Sequence, residues 1–208
     1  MNAKLYTTSQ IISALLYPML MPTYGMVLYI LSIRHLTELP AAYIWVALIG
    51  TIVFTLALPL SLVLIMIYRG NITDIYIRDS KQRTMPYVYT AISYGFWAYF
   101  CYHILHLPTF FVAVAIGATI GIAIVGIINL WWKISAHLTG FGGLIGGVMS
   151  FCLATGESAI TPMLILSIVA AMLCWARIYD ESHTPLQVMV GYLLGLVLTF
   201  IPNIFICA

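Results

Sequence analysis

Seven apolar stretches follow one another along the chain, at about residues 10–33, 41–68, 87–106, 109–132, 137–155, 160–178 and 186–206. A helix crossing a bilayer needs about 20 such residues, and each stretch comes close to that length or exceeds it. Pro40, Pro86, Pro108, Pro162 and Pro185 stand near the starts of these segments, where a missing backbone N–H costs a helix little. Pro59 and Pro202 fall inside apolar runs and predict kinks. The pattern predicts an all-α, polytopic transmembrane helix bundle of six to seven spans. It forms one integral-membrane domain over residues 1–208, with no internal repeat or linker. Two spans separate loop 69–86 from loop 133–137, and two more separate that loop from 177–185. All three polar loops are therefore expected on the same side.

Composition agrees with the pattern. Of 208 residues, 63% are hydrophobic and 7% charged, against about 25% charged in a soluble domain. A formal charge of +2 is too small to suggest nucleic acid, so the expected partners are membrane lipids. Cys101, Cys152, Cys174 and Cys207 lie within or at the edge of apolar segments and form no CxxC pair, so they read as small buried hydrophobes. The first stretch follows Lys4, is too long for a signal-peptide core and lacks a small-x-small site; it is expected as a retained helix. The fifth stretch holds Gly140, Gly142, Gly143, Gly146 and Gly147, and the Gly143–Gly147 pair predicts close helix packing in lipid. Trp131, Trp132 and Trp175 read as an interfacial aromatic belt.

Chemistry concentrates in the three polar loops. An arginine holds two phosphate oxygens through its planar fork, and Arg177 stands six residues before His183, across the turn between two helices. Ser135 is placed to cap the fifth helix, whose N–H groups would then face an anion, and His137 follows in its first turn. Arg78, Lys81 and Arg83 put three cations within six residues, matched to the charge of a phosphoryl group in flight. Two histidines, several cations and a hydroxyl on one membrane face are functional candidates in so apolar a chain. The residues by themselves do not distinguish nucleophile from acid. His103 and His106 lie on the opposite face with no third ligand nearby and read as interfacial histidines.

In these loops the chain resembles the integral-membrane type 2 phosphatidic acid phosphatases, the PAP2-like lipid phosphatases. That family carries Lys-x6-Arg-Pro, Pro-Ser-Gly-His and Ser-Arg-x5-His-x3-Asp in this order. The third block is matched by Arg177 and His183 at the family's spacing, with Ala176 for its serine and Gln187 for its aspartate. The second reads Ile134-Ser135-Ala136-His137, and the first has Arg78 at the lysine, Met85 at the arginine and Pro86 kept, with Arg83 two residues before the vacant cation position. The resemblance covers about residues 69–200. It implies a PAP2-like core and a phosphohydrolase that uses no metal or other cofactor and passes through a phosphohistidine. His183 would be the nucleophile and His137 the general acid. Arg177, Arg78, Ser135 and Lys81 or Arg83 would bind phosphate. Gln187, one helical turn after His183, would orient its ring without charge, with Asp180 or Glu181 as alternatives from the preceding turn.

The expected substrate is a lipid phosphomonoester or diphosphate, in a bacterial inner membrane. The alternative is a non-catalytic anionic-lipid binding protein or a transporter on the same scaffold, although transporters tend to set ionisable groups near the bilayer midplane. Of eight Lys and Arg, only Arg34 lies on the far side. The positive-inside rule then makes the clustered face cytoplasmic, whereas bacterial relatives of the family usually work at the periplasmic face.

Overall fold

The apolar stretches become helices because backbone N–H and C=O groups in lipid must be satisfied within the segment. A computed structural model describes residues 3–33, 38–70, 72 and 80–207. Among these the order is α1 (Ala3–Leu15), a 3-10 turn (Pro18–Leu20), α2 (Met21–Ile33), α3 (Ala41–Ile52), a π turn (Val53–Ala57) and α4 (Leu58–Tyr68). A second 3-10 turn (Ser80–Arg83) leads to α5 (Thr84–His103), α6 (Thr109–Ile128), α7 (Ala136–Thr155), α8 (Ile160–Tyr179) and α9 (Pro185–Cys207). Six segments are long and apolar enough to cross a membrane: α1 with α2, α3 with α4, then α6, α7, α8 and α9. The remaining long helix, α5, also has 20 residues, but Tyr87, Tyr89, Tyr94, Tyr99 and Tyr102 dilute its apolar character. The chain is an all-α integral membrane bundle, as its pattern predicts.

Prolines shape two of the spans. The kink expected at Pro59 takes the form of the π turn directly before it, which accommodates the missing N–H. The first span differs from expectation: helix starts at Ala3 rather than near residue 10, and it breaks at Tyr17–Pro18. Pro18 has no N–H and its ring pushes the preceding residue out of the helical region; Tyr17 is accordingly extended, at φ −64° and ψ 136°.

Two apolar clusters hold the bundle. Tyr29, Trp97, Phe110 and Phe111 centre the one between α2, α3, α5 and α6. Leu138, Phe141, Leu173 and Val188 centre the one that joins α7, α8 and α9. The closest helix pair is α7 with α9, and glycine on both sides permits it. A methyl group on Gly142 would overlap the carbonyl oxygen of Tyr192, and one on Gly195 that of Thr139. On Gly146 it would lie 2.8 Å from the carbonyl oxygen of Leu196, and on Gly191 2.6 Å from that of Ser135. The tightest GxxxG contact is thus Gly142–Gly146, one position earlier than expected; Gly143 meets Gly195 through its backbone N, and Gly143 and Gly147 also line a cavity. The hydroxyl of Ser150 lies 3.1 Å from Thr199 O, and that of Thr199 lies 3.1 Å from Gly143 O, which adds polar contact across the pair.

Overpacking a close contact costs about 1–3 kcal/mol. Gly142→Ala and Gly195→Ala should therefore lower the thermal unfolding midpoint in detergent by several degrees or prevent folding. Gly143→Ala, whose added carbon meets nothing nearer than Thr199 Cγ2 at 3.6 Å, should leave the midpoint nearly unchanged.

Candidate active site

The turn from α8 to α9 brings Arg177 and His183 together. After α8 the chain folds back through Glu181, which adopts a left-handed φ of 55°. Glu181 N–H donates to Ile178 O at 3.1 Å, Ser182 N–H to Asp180 Oδ1 at 3.0 Å, and His183 N–H to Arg177 O at 3.1 Å. The next residues form a capping box at the start of α9: Thr184 N–H donates to Gln187 Oε1 at 3.1 Å, and Gln187 N–H to Thr184 Oγ1 at 3.4 Å. The same Gln187 Oε1 lies 3.2 Å from His183 Nδ1. An atom that accepts from a backbone N–H is the amide oxygen, so His183 must donate to it from Nδ1. That leaves the lone pair of His183 on Nε2, the state a nucleophile needs.

His137 comes from the start of α7. Ser135 is the N-cap, accepting from Leu138 N–H at 3.4 Å, and its own N–H donates to Gln187 O at 3.3 Å, joining this cap to α9. His137 Nε2 lies 3.2 Å from the carbonyl oxygen of Ser13. A carbonyl only accepts, so the ring carries its proton on Nε2, and Nδ1 is the nitrogen that gains and loses a proton. Tyr17 meets the ring edge-on, with centroids 5.8 Å apart.

Around the histidines stand cations. Arg177 Nη1 pairs with Asp180 Oδ2 at 3.2 Å and donates to Ser13 Oγ at 3.1 Å. Its Nε is buried without a hydrogen-bond partner. Asp180, only 1% exposed at its side chain, also accepts from Gln10 Nε2 at 3.2 Å. Arg83, Lys133, His137, Arg177 and His183 line one end of a cavity of about 1690 Å³, whose walls are otherwise largely apolar and which reaches Glu157 and Ser158 beyond the far end of α7. Burial pushes the Lys133 ammonium below its usual pKa, and Arg83 and Arg177 add to that. Burial and then the charges of Arg177 and Lys133 lower His183 to about 4, against a smaller raising contribution from Gln187. An anion entering this end meets positive potential.

Several expected residues meet here: His183, His137, Arg177 and Arg83 share the cavity end, and Gln187 orients His183. Ser135 is fully buried as a helix cap and does not line the cavity. Arg78 lies outside the described residues, as does the side chain of Lys81. Asp180 serves Arg177 and Gln10 rather than His183, and Glu181 makes no contact with that ring nitrogen, so the oxygen on His183 is that of Gln187. Lys133, Gln10 and Ser13 were not foreseen as site residues. Lys133 had a signal in its place four residues before His137, whereas Gln10 and Ser13 sit in a span that reads as plain apolar helix. No family model, curated protein or solved structure matches the chain.

Charging His183 is opposed by burial and by neighbouring cations, so its ring should stay neutral as pH falls until about 4. An NMR titration of the histidine ring in phosphate-free micelles measures this. Gln187→Glu keeps the capping box and adds a carboxylate 3.2 Å from the ring position, so it should raise that midpoint by about one unit or more.

Proposed function

We propose that the chain is a metal-independent membrane phosphatase of the PAP2 type, hydrolysing a lipid phosphomonoester or diphosphate through a phosphohistidine. The observation that carries this reading is the pair of oppositely arranged histidines beside Arg177: His183 with Nε2 bare and His137 with Nε2 protonated. In the first step His183 Nε2 attacks phosphorus, the P–O bond to the lipid breaks, and the leaving oxygen takes a proton from Nδ1 of charged His137. In the second, water attacks the phosphohistidine, gives its proton to His137, and inorganic phosphate leaves with His183 restored. Two displacements replace one difficult hydrolysis. Arg177, Lys133 and Arg83 supply the positive charge for the equatorial oxygens, with Arg78 and Lys81 assigned the same role from the resemblance. A substrate anion offsets the positive charge of Arg177, Lys133 and Arg83 and so favours protonation of His137 on Nδ1. Beyond the headgroup, the cavity's apolar walls suit a lipid tail. The setting we assign is a bacterial inner membrane.

One observation favours a second reading. The cavity extends from the cationic end to Glu157 past the end of α7, a helix of 20 residues or about 30 Å, as a conduit would. A binding protein or transporter for an anionic lipid would use the same cations without turnover.

Release of inorganic phosphate from lipid phosphomonoesters and diphosphates, with EDTA present, separates the two. The expected result is turnover that survives EDTA and falls more than about a thousandfold in His183→Ala and about a hundred- to ten-thousandfold in His137→Ala. Near wild-type release from His183→Ala would remove it as nucleophile. No release from any lipid by folded wild-type protein would favour binding or transport.

A further inference from the structure

The N-terminal span reaches into the site from 124 to 170 residues away in sequence. Its break at Tyr17–Pro18 has a chemical consequence. The last carbonyls of a helix lack intrahelical partners, and in α1 two of them find partners elsewhere: Leu15 O accepts from the Tyr24 hydroxyl at 2.7 Å, and Ser13 O from His137 Nε2 at 3.2 Å. The Ser13 side chain meets Arg177 Nη1 at 3.1 Å, and Gln10, one turn earlier on the same helix, meets Asp180 Oδ2 at 3.2 Å. Ser13 is buried to 6% exposure and Asp180 to 1% at its side chain, so these bonds form away from bulk water, where misalignment is costly.

We propose that α1 is a working wall of the anion site: Ser13 and Gln10 are positioning residues that hold Arg177 and Asp180, and the carbonyl released by the Pro18 break fixes the proton of His137 on Nε2. With Nη1 tied to Ser13 and Asp180, the guanidinium is held in one orientation at the cavity wall, its charge set for the incoming phosphate. Asp180 cannot turn toward that phosphate because Gln10 and Ser182 N–H occupy its oxygens. His137, anchored through one nitrogen, exchanges its proton only through the other. This deepens the phosphatase reading and rests on it. It makes the first helix a determinant of affinity and protonation as well as an anchor.

The test uses full-length protein in micelles with [15N]histidine, His137 assigned by comparison with His137→Gln, and inorganic phosphate as the probe. Wild-type His137 is expected as the Nε2–H tautomer without phosphate. Ser13→Ala and Gln10→Ala are expected to bind inorganic phosphate roughly tenfold more weakly, as for loss of a hydrogen bond to a charged group. Ser13→Thr, which keeps the hydroxyl, should recover most of that loss, and Ser13→Ala should keep the Nε2–H tautomer because its carbonyl remains. Gln10 is only half-buried, so its variant tests the inference even if Ser13→Ala fails to fold. A His137 protonated on Nδ1, or unchanged phosphate affinity in the folded variants, overturns the inference. Wild-type protein that binds no phosphate overturns the phosphatase reading, and the role of α1 with it.

Discussion

The contact between α7 and α9 is the constraint on which the rest of the site depends. His137 opens one of these helices, and His183 stands just before the other. Gly142 and Gly146 lie against the backbone of Tyr192 and Leu196, and Gly191 and Gly195 against that of Ser135 and Thr139, so the two backbones touch, and the Ser135 N–H to Gln187 O bond at 3.3 Å ties their N-terminal ends. In lipid, where burying apolar surface brings no gain, such backbone proximity is a main source of helix association. Larger side chains here would spread the helix starts and, with them, the two imidazoles.

Gln187 shows how few polar groups serve this design. One amide oxygen accepts from Thr184 N–H to start α9 and from His183 Nδ1 to fix a tautomer. A carboxylate would do both and would also stabilise the charged ring. The neutral amide holds geometry alone, while burial and the charges of Arg177 and Lys133 push the His183 ring below the ordinary imidazole pKa. On the proposed reading this keeps the nucleophile ready while leaving the charge of the substrate to set the protonation of its surroundings. Asp180 has a separate task, offsetting part of the Arg177 charge while Gln10 holds it in place.

Much of the fold was legible in the chain because span length and apolarity are local properties that a bilayer imposes segment by segment. The grouping of three loops on one side followed from counting spans, and His137, Arg177 and His183 do share one cavity end. The glycine register was not legible: Gly142–Gly146 and Gly143–Gly147 have the same spacing, and only the position of α9 selects between them. Pro18 and Pro22 were visible, yet the break at Tyr17 matters through the carbonyl it leaves for His137, which lies on another helix.

Sequence alone determined that this is an all-α membrane bundle, which loops hold its clustered ionisable residues, and that Gln187 sits one helical turn from His183. Those facts depend on neighbours along the chain, through hydropathy, helix periodicity and short spacings. Tertiary structure decided which oxygen meets each histidine, hence which nitrogen is bare. It brought Lys133, Gln10 and Ser13 to the site and buried Ser135, the expected cap, away from the cavity. Hydrogen bonds between segments up to 170 residues apart depend on how whole helices pack, and no local pattern in an apolar span encodes that.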